Sequence, residues 1–199
     1  SAASDVYKRQ ALDRAKALCR EAMAEAHDVA EEAVAESRYG LALAAEARLE
    51  RYQGRDAAGL WAEATACYRR ALAAFEDLGD RYRVAQVWFD LGVAAAAQGC
   101  AHDAIINFKN SLSLFQQMGS RYHIAKALVE LGMLSEDEEQ LSYFAEALAF
   151  AREHNDDSLR EIAKSVRAGL AKGDRRRARR FMEEQAAGDA RLKAAFAPR

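Results

Sequence analysis

Apolar residues recur every three to four positions along most of the chain, in runs separated by single glycines or short polar stretches. This spacing is typical of amphipathic α-helices, and the scarcity of proline agrees with it, since Pro198 is the only one. The pattern predicts an all-α chain with turns at Gly54, Gly79, Gly99-Cys100, Gly119, His154-Asn155 and Gly173. Nine helices are predicted near residues 11–27, 29–52, 57–78, 81–98, 101–118, 121–135, 138–154, 157–171 and 174–187. The tail to Arg199 is expected to fray.

The first ten residues, SAASDVYKRQ, stand apart from the rest of the chain. They contain no initiator methionine, and the string resembles translated sequencing-adapter read-through. We therefore expect residues 1–10 to be non-native and exclude them from the fold. We also expect the natural protein to extend farther toward the N-terminus, which would make this chain a C-terminal fragment.

A repeat of 40 residues organises the central part of the sequence. The segment GDRYRVAQVWFDLG, which ends at Gly92, returns as GSRYHIAKALVELG, which ends at Gly132. The segment YRRALAAFEDLGDRY from Tyr68 likewise returns from Phe108, and a weaker copy starts at Phe144. A fixed period of this length predicts stacked helical hairpins.

Large aromatic residues and small residues stand at helical spacing within this repeat. In the central repeat they are Trp88, Leu91, Gly92, Ala104, Phe108 and Ser111. This set resembles the tetratricopeptide repeat (TPR) family, in the variety of about forty residues per repeat found in bacterial regulators and signalling ATPases. The resemblance implies a right-handed α-solenoid of about four antiparallel helix hairpins over residues 11–171. In such packing a small residue lets two helices approach closely, which would offset the cost of about 1 kcal/mol that glycine carries inside a helix.

Several positions depart from the family pattern. Ala95 and Ser135 stand where the family has tyrosine, and the repeat-ending proline is absent. In the earliest repeat, Leu49-Glu50 occupies the place expected for Leu-Gly. The third hairpin is shorter, because Gly132 and Phe144 are 12 residues apart where the preceding hairpin has 16, and we expect it to have lost about one helical turn.

Composition narrows the class of protein further. Hydrophobic residues make up 51% of the chain, which is ample for a buried core. Three scattered cysteines, Cys19, Cys67 and Cys100, form no CxxC pair, which disfavours a disulfide framework or a zinc site and favours packing roles. No apolar stretch approaches the roughly 20 residues that a membrane helix needs. We expect a cytoplasmic protein without membrane contact.

Sequence motifs of catalysis are missing, among them GxSxG, a glycine-rich phosphate loop and HExxH. His27 and Glu31 have the helical spacing of two metal ligands, but a solvated pair explains them more simply. His102-Asp103 and residues 135–139 stand at predicted helix starts, where polar side chains cap free N–H groups. We expect no enzymatic activity, cofactor or metal, and keep a helical enzyme with an unrecognised site as a third hypothesis.

The C-terminal region is basic. From Lys172 onward there are nine Lys/Arg and four Asp/Glu, a net charge of +5, so the rest of the chain carries −7. We expect residues 172–199 to form a capping helix and tail, since the last hairpin of a solenoid needs a polar outer face and Phe181, Met182 and Leu192 supply an apolar side for docking. The alternative is contact with nucleic acid or another anionic surface. That contact would use Arg175, Arg176, Arg177, Arg179 and Arg180.

The TPR resemblance also implies where a partner would bind, because first helices line the concave groove of such arrays. The groove residues would be Gln86, Phe89, Val93, Lys126, Val129 and Met133. This set is largely apolar with Lys126 as its one cation, which suits an amphipathic helix of a partner or of the protein's own N-terminal domains. The alternative is that Phe89, Val129 and Met133 are core between hairpins. We therefore expect a protein-interaction module, the scaffold or sensor region of a larger bacterial regulatory protein. Nucleic-acid binding through the basic helix is the alternative.

Overall fold

The computed structural model describes residues 2–196, with the side chains of residues 5–196. Over this range the chain forms ten α-helices and no β-strand. The helices are α1 (Ala2–Glu25), α2 (Val29–Tyr52), α3 (Ala58–Asp77), α4 (Arg81–Ala97), α5 (Ala101–Met118), α6 (Arg121–Leu134), α7 (Asp137–Arg152), α8 (Asp156–Leu170), α9 (Arg175–Ala186) and α10 (Ala190–Phe196). The predicted all-α class is confirmed, and every helix from α2 to α9 ends within two residues of its predicted bounds.

The two outermost helices differ from the prediction. Residues 2–10, which the sequence analysis set aside, continue α1 toward the N-terminus, and Arg9 donates a hydrogen bond to Glu50 on α2. The expectation of a frayed tail is wrong for residues 190–196, which form α10, and its remaining part, residues 197–199, lies outside the described residues. This helix can start because Asp189 accepts hydrogen bonds from the backbone N–H groups of two residues in its first turn, those of Arg191 and Leu192.

Connections between helices are short, and glycines end several of them. Four predicted turn glycines have the positive φ typical of helix termination, which confirms those turns: Gly54, Gly79, Gly99 and Gly119. Acidic or amide side chains then start the next helix by accepting backbone N–H bonds. Asp28 caps α2, Asp80 caps α4, Asn155 caps α8 and Asp174 caps α9.

The chain divides into two compact units, residues 1–111 and 112–199, and the division falls inside α5. In the first unit α2 packs against α1 and α3, and α3 also packs against α4. Large side chains from α2, α3 and the part of α5 within this unit form its core, and they are Leu43, Trp61, Tyr68, Phe75 and Phe108. Neighbours in sequence are therefore neighbours in space, as a chain of helical hairpins requires.

The second unit is built in the same way from α6 onward. Helices α6, α7 and α8 pack on one another, and α9 and α10 pack on α8. Its fully buried side chains include Leu128, Leu131, Phe144, Leu148, Leu159, Ile162 and Leu192. The contribution of Leu192 shows that the chain after α8 is part of this core.

Candidate functional site

Glycines on first helices contact aromatic rings on second helices, and these contacts define the hairpins. A Cβ atom placed on Gly92 would lie 2.7 Å from ring atoms of Phe108, and one placed on Gly132 would lie 2.5 Å from Phe144. No side chain fits in either place without moving the ring. The close approach predicted from the repeat is therefore confirmed in both hairpins.

The corresponding contact of the first hairpin lies at a different position from the one expected. The repeat pattern predicts Leu49-Glu50 at the small-residue position, but the ring of Tyr68 packs on Gly40, where an added Cβ would lie 2.8 Å from the ring. The assignment was wrong because the Tyr68 ring meets α2 at Gly40, which lies ten residues before Glu50 in the same helix. The sequence signal from which this contact could have been predicted was Gly40, the glycine that follows Arg38-Tyr39.

Ser111 occupies another position at which the repeat has a small residue, and its contacts show why a small side chain is needed there. Its side chain is fully buried, and its hydroxyl donates a 2.8 Å hydrogen bond to the backbone carbonyl of Ala85 on α4. The polar group is thus paired inside the core, where an unpaired hydroxyl would be destabilising. The small side chain lets α5 approach the α4 backbone.

The shortened hairpin has a tight tip between α6 and α7. Only Ser135 and Glu136 separate the two helices, and Asp137 adopts a φ of 51°. Gln140 donates hydrogen bonds to the carbonyls of Gly132 and Ser135, which satisfies the end of α6. The predicted capping role of Ser135 is wrong, because Ser135 follows α6 directly and the residue preceding α7, Glu136, makes no side-chain cap bond.

In the first unit, the three predicted groove residues lie along α4. Gln86, Phe89 and Val93 are all half-buried. The ring of Phe89 lies 5.3 Å from that of Phe108, measured between centroids, so one side of Phe89 packs against the hairpin core. The part of these side chains that stays in contact with solvent forms a surface of mixed apolar and amide character.

In the second unit, the three predicted groove residues have different surroundings. Val129 is only 3% exposed and therefore belongs to the core, as the alternative interpretation held for it. Lys126 is half-buried, with its ammonium 5.5 Å from the centroid of the Tyr122 ring. Met133 is half-buried and lies with Phe144 over Gly169. Lys126 and Met133 are the two that face solvent in part.

The basic segment forms α9, and most of its arginines have acidic partners. Arg177 forms ion pairs with Asp137 and Glu138 at the tip of the shortened hairpin. Arg179 and Arg180 pair with the glutamates one turn farther along α9, which are Glu183 and Glu184. Arg175 and Arg176 are exposed. Ala178 and Phe181 are buried, so α9 docks through its apolar side as predicted.

The isolated polar candidates form no obvious ligand set. The backbone N–H of His27 donates to a Glu31 carboxylate oxygen at 2.9 Å, so the pair acts at the start of α2. Burial raises the pKa of the Cys19 and Cys67 thiols. Over the side chains that the structure describes, residues 5–196, no three His, Cys, Asp or Glu side chains cluster in a way that could hold a metal ion. Within the same part of the chain, none of the helices has the length and apolar character needed to cross a membrane.

The structure also contains a trough between α1 and α2 that sequence reasoning missed. It has a volume of about 760 Å³ and mainly apolar walls. Those walls are formed by Ala15, Leu18, Cys19, Ala22, Ala26, Ala30, Val34 and Ala35. Charged residues also line it: Glu25, Asp28 and Glu31 lie beside the connection of α1 to α2, Arg38 lies at the other end along α2, and Arg83 reaches the trough from α4. The alanines on the facing sides of α1 and α2 were the sequence signal for this trough. That signal is not specific, because alanine is equally common where two helices of a hairpin pack closely.

Comparison with known proteins bears on the fold only. No family model and no curated protein matches the chain. Among solved structures, 42 chains match. One of them, the crystal structure of BtubC (BKLC) from P. vanneervenii, aligns over 95% of this chain and 94% of that chain, with a TM-score of 0.53 and 17% sequence identity. At this identity the likeness concerns the helical architecture alone.

Proposed function

We propose that the chain is a non-enzymatic, cytoplasmic protein-interaction module, a right-handed α-solenoid of TPR-like hairpins that binds a peptide or helix of another protein. The observation that carries this proposal is the recurrence of one packing contact, glycine against ring, at Gly40, Gly92 and Gly132. Repeated hairpins of this kind present extended surfaces for macromolecules. The scaffold or sensor region of a larger bacterial regulatory protein is the setting that we propose, on the strength of the TPR resemblance.

We propose a binding surface on the first helices of the hairpins in each unit. The surface of the first unit comprises the half-buried Gln86, Phe89 and Val93, and that of the second unit comprises Lys126 and Met133. Apolar side chains with a few polar neighbours suit the apolar stripe of an amphipathic helix. Val129 is packed in the core beneath the second unit's surface, so its side chain is not available to contact a partner.

Nucleic-acid binding is the competing proposal, and the ion pairs of α9 weaken it. Three of the five arginines already neutralise carboxylates, and phosphate contacts would have to replace those partners. The exposed pair Arg175 and Arg176 is a small basic surface for binding a nucleic acid.

The test is an affinity capture from bacterial lysate with the full chain, followed by mass spectrometry and rebuilding of the complex from purified components. The variant Gln86→Glu/Lys126→Glu changes the surface at half-buried polar positions, and Arg175→Glu/Arg176→Glu is the matched control on α9. A protein that binds the wild type and the control but not the first variant supports the proposal. Nucleic acid that is recovered only at low salt and lost in the α9 variant would support the competing one.

A further inference from the structure

Helix α1 is covered on one side only. It packs against α2, and none of its described side chains, residues 5–25, is buried. Helix α3, by contrast, packs against both α2 and α4 and buries seven residues. The apolar residues of α1 that would be covered by a second neighbour line the trough between α1 and α2.

The walls of the trough fit a helix. Most wall residues are alanines, which allow a close interaxial approach, and Leu18 is 56% exposed at the rim. Arg38 lies ten positions after Asp28, the cap of α2, which corresponds to about 15 Å, or nearly three helical turns. A peptide of that length with an apolar stripe would bury the exposed part of Leu18 and the half-buried Cys19 and Val34.

The charges at the ends of the trough restrict the chemistry of the occupant. Glu25, Asp28 and Glu31 are exposed at one end, the exposed Arg38 lies at the other, and the half-buried Arg83 lines the trough from α4. Arg83 has a carboxylate partner in Asp80, at 3.2 Å, so Arg38 is the stronger anion-attracting group. An occupant with basic side chains at one end and acidic side chains at the other would complement both ends.

We propose that this trough, defined by its walls and its two charged ends, binds a three-turn amphipathic helix of a partner protein. The helix carries an apolar stripe, a basic end that meets Glu25, Asp28 and Glu31, and an acidic end that meets Arg38. The inference rests on the proposed function and names a site and a ligand class for it.

The test uses three synthetic peptides of about 14 residues, or nearly four turns, acetylated and amidated, with one shared Leu/Ala stripe and a neutral fluorescent dye. The bipolar peptide has an acidic first turn and a basic last turn, which also favours its helical form. The other two peptides are acidic at both ends or basic at both ends. Fluorescence anisotropy with the full chain should show that the bipolar peptide binds about three to ten times more tightly than either, since exposed ion pairs contribute modestly.

Single charge reversals should change this preference in opposite directions. Glu25→Lys should shift the preference toward the doubly acidic peptide, and Arg38→Glu toward the doubly basic one. Matched controls away from the trough are Glu21→Lys and Arg14→Glu, both exposed on α1. Equal affinities for the three peptides, or equal effects of trough and control reversals, would overturn the proposal.

The apolar wall is tested separately. Leu18→Asp should reduce binding of the bipolar peptide at least tenfold, whereas Leu41→Asp, at an exposed position of α2 outside the trough, should leave it unchanged. Circular dichroism confirms that each variant is folded. A dimer seen by light scattering that Leu18→Asp dissociates would show that a second copy occupies the trough, and would overturn the assignment to a partner. The peptides could fail to bind the chain while the affinity capture still recovers a protein that binds the wild type and does not bind Gln86→Glu/Lys126→Glu. That result would overturn the trough proposal and leave the proposed function standing.

Discussion

The first and last helices of the chain are held in place by different kinds of interaction. Helix α1 makes polar contacts with α2, of which the ion pair between Lys16 and Glu46, at 2.6 Å, is the least exposed. Helix α10 is held by Leu192, which has no exposed surface, and only secondarily by the ion pair between Arg191 and Asp156. Helix α10 therefore closes the core with a fully buried apolar side chain, whereas α1 packs on α2 without burying any of its described side chains, so that apolar residues such as Leu18 keep exposed surface.

Removal of the buried leucine should have the largest effect on stability. Leu192→Ala deletes a fully buried side chain and should lower the free energy of unfolding by about 2–5 kcal/mol. Leu18→Ala, on the exposed side of α1, should change it by less than about 0.5 kcal/mol. Urea titrations of both variants measure the difference, and equal midpoints would contradict the contrast between the two helices.

The hairpins between the two outer helices should be sensitive to overpacking. Gly92→Leu places a side chain where the Phe108 ring lies and should cost about 1–3 kcal/mol. Gly59→Ala is the control, because that helical glycine has open space around it and should gain up to about 1 kcal/mol from improved helix propensity. An unchanged urea midpoint for Gly92→Leu would argue against the packing of glycine on ring.

The ion pair between Lys16 and Glu46 should contribute less to the free energy of unfolding than the burial of Leu192 or the packing of Gly92 on Phe108. Burial lowers the pKa of Lys16, but hydrogen bonds to Glu46 and Asp13 outweigh it, and the net shift is upward. Lys16→Met keeps the aliphatic part of the side chain and should cost about 1 kcal/mol, within the range measured for ion pairs. The difference between the variant and the wild type should shrink in 1 M salt, where charges are screened within about 3 Å. A cost that does not depend on salt would assign the effect to packing.

The smallest expected effect on stability depends on pH and comes from His123 in the second unit. Burial lowers the pKa of His123 below 6.5, and the charges of Lys126 and His154 act in the same direction. The unfolded chain therefore takes up a proton more readily, so the stability that the neutral ring contributes is present above pH 6.5 and declines as the pH falls below it. Urea midpoints between pH 5 and 7.5 should decline less steeply for His123→Gln. The same change at exposed His102 is the control, and identical slopes for wild type and His123→Gln would contradict the prediction.

The helices could be predicted from sequence because their signals are local. The glycine turns and the capping residues Asp80 and Asn155 mark helix ends, and α2 to α9 followed from them. The capping role was misassigned to Ser135 because this residue directly follows α6, whose end is satisfied by the side chain of Gln140, five residues later. Helix α10 was missed because a seven-residue segment has little periodicity of its own, and it is ordered by the burial of Leu192.

The candidate surfaces were only partly predictable, for a physical reason. Helical spacing places Phe89, Val129 and Met133 on related faces, but the burial of each depends on which neighbouring helix covers that face. Val129 is packed beneath its neighbours, whereas Phe89 and Met133 keep part of their surface. The trough between α1 and α2 depends in the same way on a face that remains uncovered, and a single sequence does not record that.

The packing of a glycine against a ring occurs in hairpins whose two helices are joined by segments of different length. The paired residues are separated in sequence by 28, 16 and 12 positions, in the pairs Gly40/Tyr68, Gly92/Phe108 and Gly132/Phe144. The same contact therefore tolerates insertions and deletions at the tip of a hairpin. Segments grafted at a tip, a binding loop or a fluorescent reporter among them, can be accommodated there without repacking the body of the hairpin.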